Sequence, residues 1–307
     1  DDCHRGDCRP LPAPRWESAP ALCSDARAAD KGGQVEETDD VLGSLLDDST
    51  CKAIVLTGTA RFFCTGADID EFADSIDDGS IGNLVDELTS VLHPLELRLR
   101  RSPTVFIAAI NGSAAGGGLG LALCADYRLC IPEARLAAAF FSLGISPDGG
   151  STWLLPRLVG YQRARRFFFD NEVWTGEQAL EYGAVDELVK SENLLDRSIE
   201  IATKWGSWAE ASKQGTKQLL DASSTTFMET QLEFEKALIT AASLTPDFAE
   251  GVSAFLEKRV PRFGIKSEEE VTYQGMAPGG GDLVVKFVIK KESITKYTIL
   301  FINDKII

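Results

Sequence analysis

The chain has 307 residues, 44% hydrophobic and 25% charged, enough to bury a sizeable core in one large domain or two small ones. Its 47 Asp and Glu against 31 Lys and Arg leave a formal net charge of −16. That balance excludes a general nucleic-acid binder, which needs a basic footprint, but allows a small phosphate-bearing ligand held by a local basic patch.

Residues 1–50 contain no Ile, Phe or Tyr and only two Val, so no strand pattern is expected there. Loop, or weak helix near Val41 to Leu46, is the reading. Pattern begins abruptly at Lys52: Ala53-Ile-Val-Leu-Thr-Gly58 is a short apolar run ending in Gly, as for a buried parallel strand. Residues 68–87 hold eight acids and no base and read as a solvated lid or loop. Leu84, Val85, Leu88, Val91, Leu92, Leu95 and Leu99 repeat at helical spacing and predict an amphipathic helix.

Ser102 to Ala125 carries no charge and is long enough for a membrane span, but Pro103, Asn111 and five Gly argue for a buried strand, a glycine turn and a buried helix. Further strands are expected at Tyr127 to Ile131 and Ala184 to Val189. Thr175-Gly-Glu-Gln178 reads as a capping box whose helix stops at Gly183. From about 191 to 260 the chain reads as helix, with Thr245-Pro246 as an N-cap and a first-turn proline. Residues 267–282 read as a linker, and 283–307 as a tail that could pair as strands. Strands alternating with helices, then a helical last third, predict an α/β fold with a parallel sheet.

The seven Cys are odd in number, and Cys64, Cys124 and Cys130 sit in apolar surroundings, so free thiols in a reducing compartment are expected. The expected location is therefore cytoplasmic, or an organelle matrix in a eukaryote. Cys3, His4 and Cys8 resemble half a metal site with no second pair, so no metal is expected. A His-based triad could use only His4 or His93, and neither stands beside a nucleophile motif. Residue 1 is Asp rather than Met, which reads as a fragment, a processed product or an incomplete gene model, and no signal peptide is visible.

Three segments carry chemistry. Phe62-Phe-Cys-Thr-Gly-Ala-Asp-Ile69 reads as a strand end and a glycine turn. Asn111-Gly-Ser-Ala-Ala-Gly-Gly-Gly-Leu-Gly-Leu-Ala-Leu123 reads as a glycine turn opening a helix. Leu143-Gly-Ile-Ser-Pro-Asp-Gly-Gly-Ser-Thr-Trp153 puts a carboxylate in a tight turn. The first amides of a helix have no intrahelical partner, and two such N–H groups from different turns can hold a developing oxyanion. A nearby carboxylate could then move a proton on the adjacent carbon. Each segment also has a plainer reading: close packing for the glycines, a turn or cap residue for Asp148, a helix cap for Asp68. The glycine spacing does not fit a dinucleotide fingerprint.

Together, in this order, the segments resemble the crotonase superfamily of enoyl-CoA hydratases and isomerases over residues 52–263. The resemblance implies a crotonase-like ββα spiral with a helical C-terminal trimerisation region. It divides the chain into an atypical segment (1–50), a core with the active site (51–190), a helical region (191–263) and an atypical tail (264–307). It implies that the N–H groups of Ala67 and Gly117 bind a thioester oxygen, with Gly66, Asp68, Ile69, Gly116, Phe140 and Phe141 around the substrate. Coenzyme A enters as part of an acyl-CoA substrate, no separate cofactor is implied, and Lys258 and Arg259 become candidate contacts to its phosphates. A homotrimer or dimer of trimers is implied, with neither nucleic acid nor membrane as partner.

The family's hydratases place glutamates at positions that are Gly120 and Phe140 here, which disfavours ordinary hydration. Asp148 instead resembles the acid of the isomerase branch, including ring-epoxide isomerases, although some family dehalogenases keep an aspartate there as a nucleophile. Three expectations stand side by side: an acyl-CoA isomerase with Asp148 as its catalytic proton carrier; a thioester hydrolase, another substitution or a hydratase-like enzyme; and a catalytically silent subunit. The sequence departs from the family at residues 1–50, which lack its opening strand pair and Asn-Arg-Pro-like turn. The composition changes near 50 and near 266 suggest misread frames or exon boundaries at both ends.

Overall fold

The computed structural model describes residues 15–18, 33–264, 270–276, 282–288 and 296–302, with side chains from 38 to 264. The metal half-site reading of Cys3, His4 and Cys8 lies outside the described residues.

Two continuous apolar runs build the centre of the molecule. β2 (Cys51–Gly58) and β4 (Val105–Ile110) are buried along their whole length and pair in parallel, Ala53 opposite Val105 and Thr57 opposite Ala109. Strands covered on both faces need no polar alternation, which is why these segments read as unbroken hydrophobic stretches. β6 (Tyr127–Cys130) and β9 (Glu187–Leu188) extend this sheet on one side. On the other side stand β12 (Lys296–Ile302) and then β1 (Arg15–Ser18), giving the order β1-β12-β2-β4-β6-β9, parallel throughout.

A smaller sheet forms from β3 (Phe62–Cys64), β5 (Ser113–Ala115), β7 (Arg135–Ala137) and β8 (Val173–Thr175), parallel except for the β7–β8 pair. Its link to the large sheet runs through Asn111. The Asn111 side chain accepts from Gly58 N at 2.8 Å and donates to Ala60 O at 3.2 Å and Phe62 O at 3.1 Å. One amide thereby ties the turn after β2 to the turn after β4, and those two turns lead into the chemistry-bearing loops.

Helices cover the sheets: α1 (Gly33–Asp47), α2 (Ile69–Asp78), α3 (Ile81–Arg101), α4 (Gly117–Cys124), α5 (Ser151–Val159), α6 (Tyr161–Phe169) and α7 (Gly176–Tyr182). The C-terminal third packs as α8 (Leu194–Gly206), α9 (Glu210–Ser223), α10 (Met228–Ser243) and α11 (Pro246–Glu257). The expected caps form. Thr175 and Gln178 make a reciprocal capping box on α7, Gly183 ends that helix in the left-handed region at φ 84°, and Thr245 with Pro246 opens α11.

Five expectations need correction. The acidic stretch 68–87 is not a loop but α2 and the start of α3. Asp68 caps α2 by accepting from Asp70 N at 2.9 Å, and Gly79 ends it at φ 80°, so local cap chemistry outweighs the charge density. The helix expected at 41–46 runs from 33 to 47, and residues 15–18 form an edge strand where none was expected. Residues 270–276 pair with β11 (Asp282–Val288) as an antiparallel hairpin strand, β10 (Glu270–Met276), inside the stretch read as linker. The strand expected over 184–189 is confined to β9.

Candidate active site

The three chemistry-bearing segments meet. A cavity of about 480 Å³ is lined by the turn after β3 (Thr65 to Asp68), the turn opening α4 (Ala115 to Gly117), the loop from Ala139 to Asp148, and the facing sides of α2 and α3. Ala67, Gly117 and Asp148 all stand in this one lining, with Gly66, Asp68, Ile69, Gly116 and Phe140.

The two glycine turns abut because neither carries a side chain at the crossing. Gly66 is left-handed at φ 84°, and a Cβ placed on it would lie 3.2 Å from Gly117 N and 3.3 Å from Ala115 O. Gly116 adopts φ 55° and ψ −134°, a combination foreign to other residues, and hands the chain to Gly117 as the first residue of α4. The amide of a first helical residue has no acceptor within its helix, and it sits at the positive end of the helix dipole.

The third segment is laid down by another pair of glycines. Gly149 and Gly150 both have positive φ, 56° and 62°, and the Ser151 side chain donates to Asp148 O at 2.7 Å. The turn rests on α4: a Cβ on Gly120 would come within 2.1 Å of Gly149 O. Gly120 therefore has to be glycine for Asp148 to stand where it does. A glutamate at this position, as in the resembled hydratases, would meet the Asp148 turn head-on.

Asp148 is half-buried, and its Oδ1 is fully buried without a hydrogen-bond partner. Burial raises its pKa from the ordinary aspartate value, opposed by the nearby His93 and by a hydrogen bond from the backbone. The surroundings are apolar: Phe72, Val85, Leu88, Leu92, Leu143 and Ile145 share the lining. Phe140, 5% exposed, closes one side, held by Ala139 at the left-handed φ of 64°.

Phe141 is a correction. It stands outside the cavity lining, exposed, with its ring edge-on to Phe169 at 5.2 Å between centroids. Its neighbours Phe140, Ser142 and Leu143 line the cavity, while the short 3-10 turn at Phe141–Leu143 leaves Phe141 outside it. Arg259 is not a free cation within this chain, because Glu250 and Glu257 both bind its guanidinium, the former through two nitrogens. Lys258 ends α11 in the left-handed region at φ 55°.

Sequence reasoning missed Glu96. This α3 residue is 7% exposed, its Oε1 is fully buried without a partner, and both its oxygens lie against the Asp148–Gly150 turn. The signal was present. Glu96 falls four residues after Leu92 and three before Leu99, on the apolar stripe of the predicted helix, where an acid is out of place. Among the described residues no group of three or more His, Cys, Asp or Glu could hold a metal ion, and no helix is long and apolar enough to cross a membrane.

This fold and this meeting of two glycine turns with one acid define a class of protein. The family described as enoyl-CoA hydratase/isomerase matches residues 31–266, and the chain belongs to it: it is an acyl-CoA enzyme of crotonase fold. The 1,2-epoxyphenylacetyl-CoA isomerase of Escherichia coli (strain K12) is 36% identical over 217 residues, covering 70% of this chain and 82% of that protein. The 2,3-dehydroadipyl-CoA hydratase of the same organism is 34% identical over 216 residues, with the same coverage of 70% and 82%. Among solved structures, an enoyl-CoA hydratase from Bacillus anthracis superposes with a TM-score of 0.69 at 32% identity, covering 75% of this chain and 87% of that one. Pseudomonas aeruginosa DspI superposes with a TM-score of 0.70 at 30% identity, covering 85% and 97%. The family match begins at residue 31, so α1 falls inside it, ahead of the resemblance read from residue 52.

Proposed function

We propose that the protein is an acyl-CoA isomerase that shifts a double bond, or rearranges a ring epoxide, through a thioester enolate. The observation that carries this reading is Asp148, whose Oδ1 is buried and unpartnered, in one cavity with the Ala67 and Gly117 turns, while glycine and phenylalanine occupy the positions of the hydratase glutamates.

The thioester carbonyl oxygen sits between the N–H groups of Ala67 and Gly117. As the α or γ carbon loses its proton, charge moves to that oxygen, where fixed amide donors stabilise it. Asp148 takes the proton from one carbon and returns it at another. One acid suffices because the carrier ends each cycle as it began, whereas adding water needs one group to activate water and another to protonate carbon. The apolar lining keeps the proton affinity of Asp148 high enough for it to recover the proton from carbon. The relative named as an isomerase supports this reading, while relatives of similar identity named as hydratases make water addition its main competitor.

The reading includes an oligomer. α10 and α11 leave Leu232, Ile239, Phe248, Val252, Phe255 and Leu256 exposed, an apolar surface suited to a second copy of the chain. Lys258 at the end of α11 would reach coenzyme A phosphates bound to a neighbouring subunit. Light scattering on the purified protein tests the assembly, with a trimer or hexamer expected.

A panel of unsaturated acyl-CoA thioesters followed by mass spectrometry and NMR tests the reaction. A moved double bond at unchanged mass is the expected result. A mass gain of one water marks a hydratase, release of free coenzyme A marks a hydrolase, and absence of turnover with assembly retained marks a silent subunit; each of these overturns the isomerase reading.

A further inference from the structure

Glu96 is the buried acid that the proposed chemistry does not use. It comes from α3, yet its carboxyl ends against the turn that carries Asp148. The point a Cβ on Gly149 would occupy is 3.3 Å from Glu96 Oε1, 3.3 Å from Gly120 Cα and 3.5 Å from Gly117 Cα. Glu96 Oε2 lies 3.7 Å from the corresponding point on Gly150. The place that a side chain at 149 would take, between Gly117 and Gly120, is therefore bounded by a carboxyl group delivered from another helix. Glu96 Oε1 and Asp148 Oδ1 are both fully buried without a hydrogen-bond partner.

We propose that Glu96 is a positioning residue for Asp148: a neutral carboxylic acid packed behind the Asp148–Gly150 turn, which lets the turn carry one negative charge instead of two. The inference rests on the isomerase reading for its catalytic consequence, though not for its electrostatics. Two adjacent acids in an apolar site cannot both ionise cheaply, so one keeps its proton. Asp148 reaches the cavity and has His93 nearby, so it ionises first. Glu96 then keeps its proton up to about 8, chiefly through burial and secondly through the Asp148 charge.

The other groups around Glu96 do not neutralise it. From α4, the Cys124 thiol donates to the Glu96 backbone carbonyl at 3.4 Å, and burial keeps that thiol protonated. Arg100, one turn further along α3, is engaged by Asp221. Beyond Cys124, Lys217 and Asp126 pair with each other. His93, on α3, is exposed.

The consequence is an alkaline limit on activity. When Glu96 ionises, a second buried negative charge faces Asp148 and the developing enolate. In the native protein kcat/KM should fall about tenfold per pH unit above about 8, as for loss of one required proton. In Glu96→Gln the side chain cannot ionise, and that limb should flatten to within about twofold between pH 7.5 and 9.5, while the acidic limb set by Asp148 stays.

Melting temperature against pH supplies a readout that needs no substrate. The folded-state pKa of Glu96 is raised, so its contribution to stability is present below the ordinary glutamate value and lost as pH rises through about 8. The native protein should lose melting temperature over this window, and Glu96→Gln should not.

 Asp148→Asn keeps Glu96 but removes the negative charge that helps it hold its proton, so its loss of melting temperature should end at lower pH than in the native protein. A Glu96→Gln protein whose rate profile or melting profile follows the native one overturns the proposal. So does an Asp148→Asn melting profile that coincides with the native one, a comparison that stands even if Glu96→Gln fails to fold. If no acyl-CoA is turned over, the isomerase reading fails by itself, and the melting profiles still decide the protonation of Glu96.

Discussion

The molecule buries charge in two places and treats it differently in each. Around the large sheet and α9, the partly buried acids Asp126, Asp186, Glu210 and Asp221 each meet a base. Lys217 Nζ lies 2.6 Å from Asp126 Oδ2 and donates to Leu99 O and Thr104 O, while Asp126 also accepts from Phe106 N. Arg128 Nη2 lies 2.8 Å from Asp186 Oδ2, and Lys52 and Arg100 meet Glu210 and Asp221. At the cavity, Glu96 and Asp148 meet neither a base at bonding distance nor, at one oxygen each, any partner. The lesson is that compensation marks the scaffold, and its lack marks the site. Paired charges fix α9 to the sheet, whereas unpaired ones keep a proton affinity that chemistry can use.

That contrast can be broken at either end. The largest effect is expected for Asp148→Asn, which should lower acyl-CoA turnover by about 10³-fold while acyl-CoA binding, measured by calorimetry, persists. Next comes the scaffold: Lys217→Met strands Asp126 and should cost about 3 kcal/mol or more in denaturant unfolding, with little change in cavity chemistry. Gly120→Ala forces a methyl against Gly149 O and should reduce kcat by about 10²-fold through displacement of Asp148, a change visible in a crystal structure of the variant. The smallest effect belongs to an exposed pair. Arg98→Ala, which breaks the 2.9 Å contact to Asp47 between α3 and α1, should cost less than about 1 kcal/mol in the same unfolding assay. A Lys217 variant with full stability, or an Arg98 variant that unfolds, would remove the distinction between buried pairing and surface pairing.

The site was legible in the sequence to the extent that it is built from local turns. Gly66, Gly116, Gly117 and Asp148 announce themselves through residues beside them, and the structure brings all four to one cavity. Glu96 was not read because its meaning depends on which helix face turns inward, a fact that the leucine spacing held but that its own charge obscured. The acidic stretch at 68–87 failed for the opposite reason: its charge was weighed and its cap, Asp68 with Gly79, was not. The fold was legible where strands are buried on both faces, as β2 and β4 are. It was not legible for β12, whose apolar run announces a strand but whose parallel pairing with β2, Tyr297 opposite Ala53, joins residues far apart in the chain. No local pattern encodes such a partner.

The contact between Gly120 and the Gly149 carbonyl has a consequence for descent within the family. A lineage holding this backbone cannot acquire a second acid on α4 by one substitution, since the newcomer and the Asp148 loop claim the same volume. The loop would have to be re-laid first, and the acid recruited afterwards. Mutational order is therefore constrained, and a library that randomises position 120 alone is expected to return glycine.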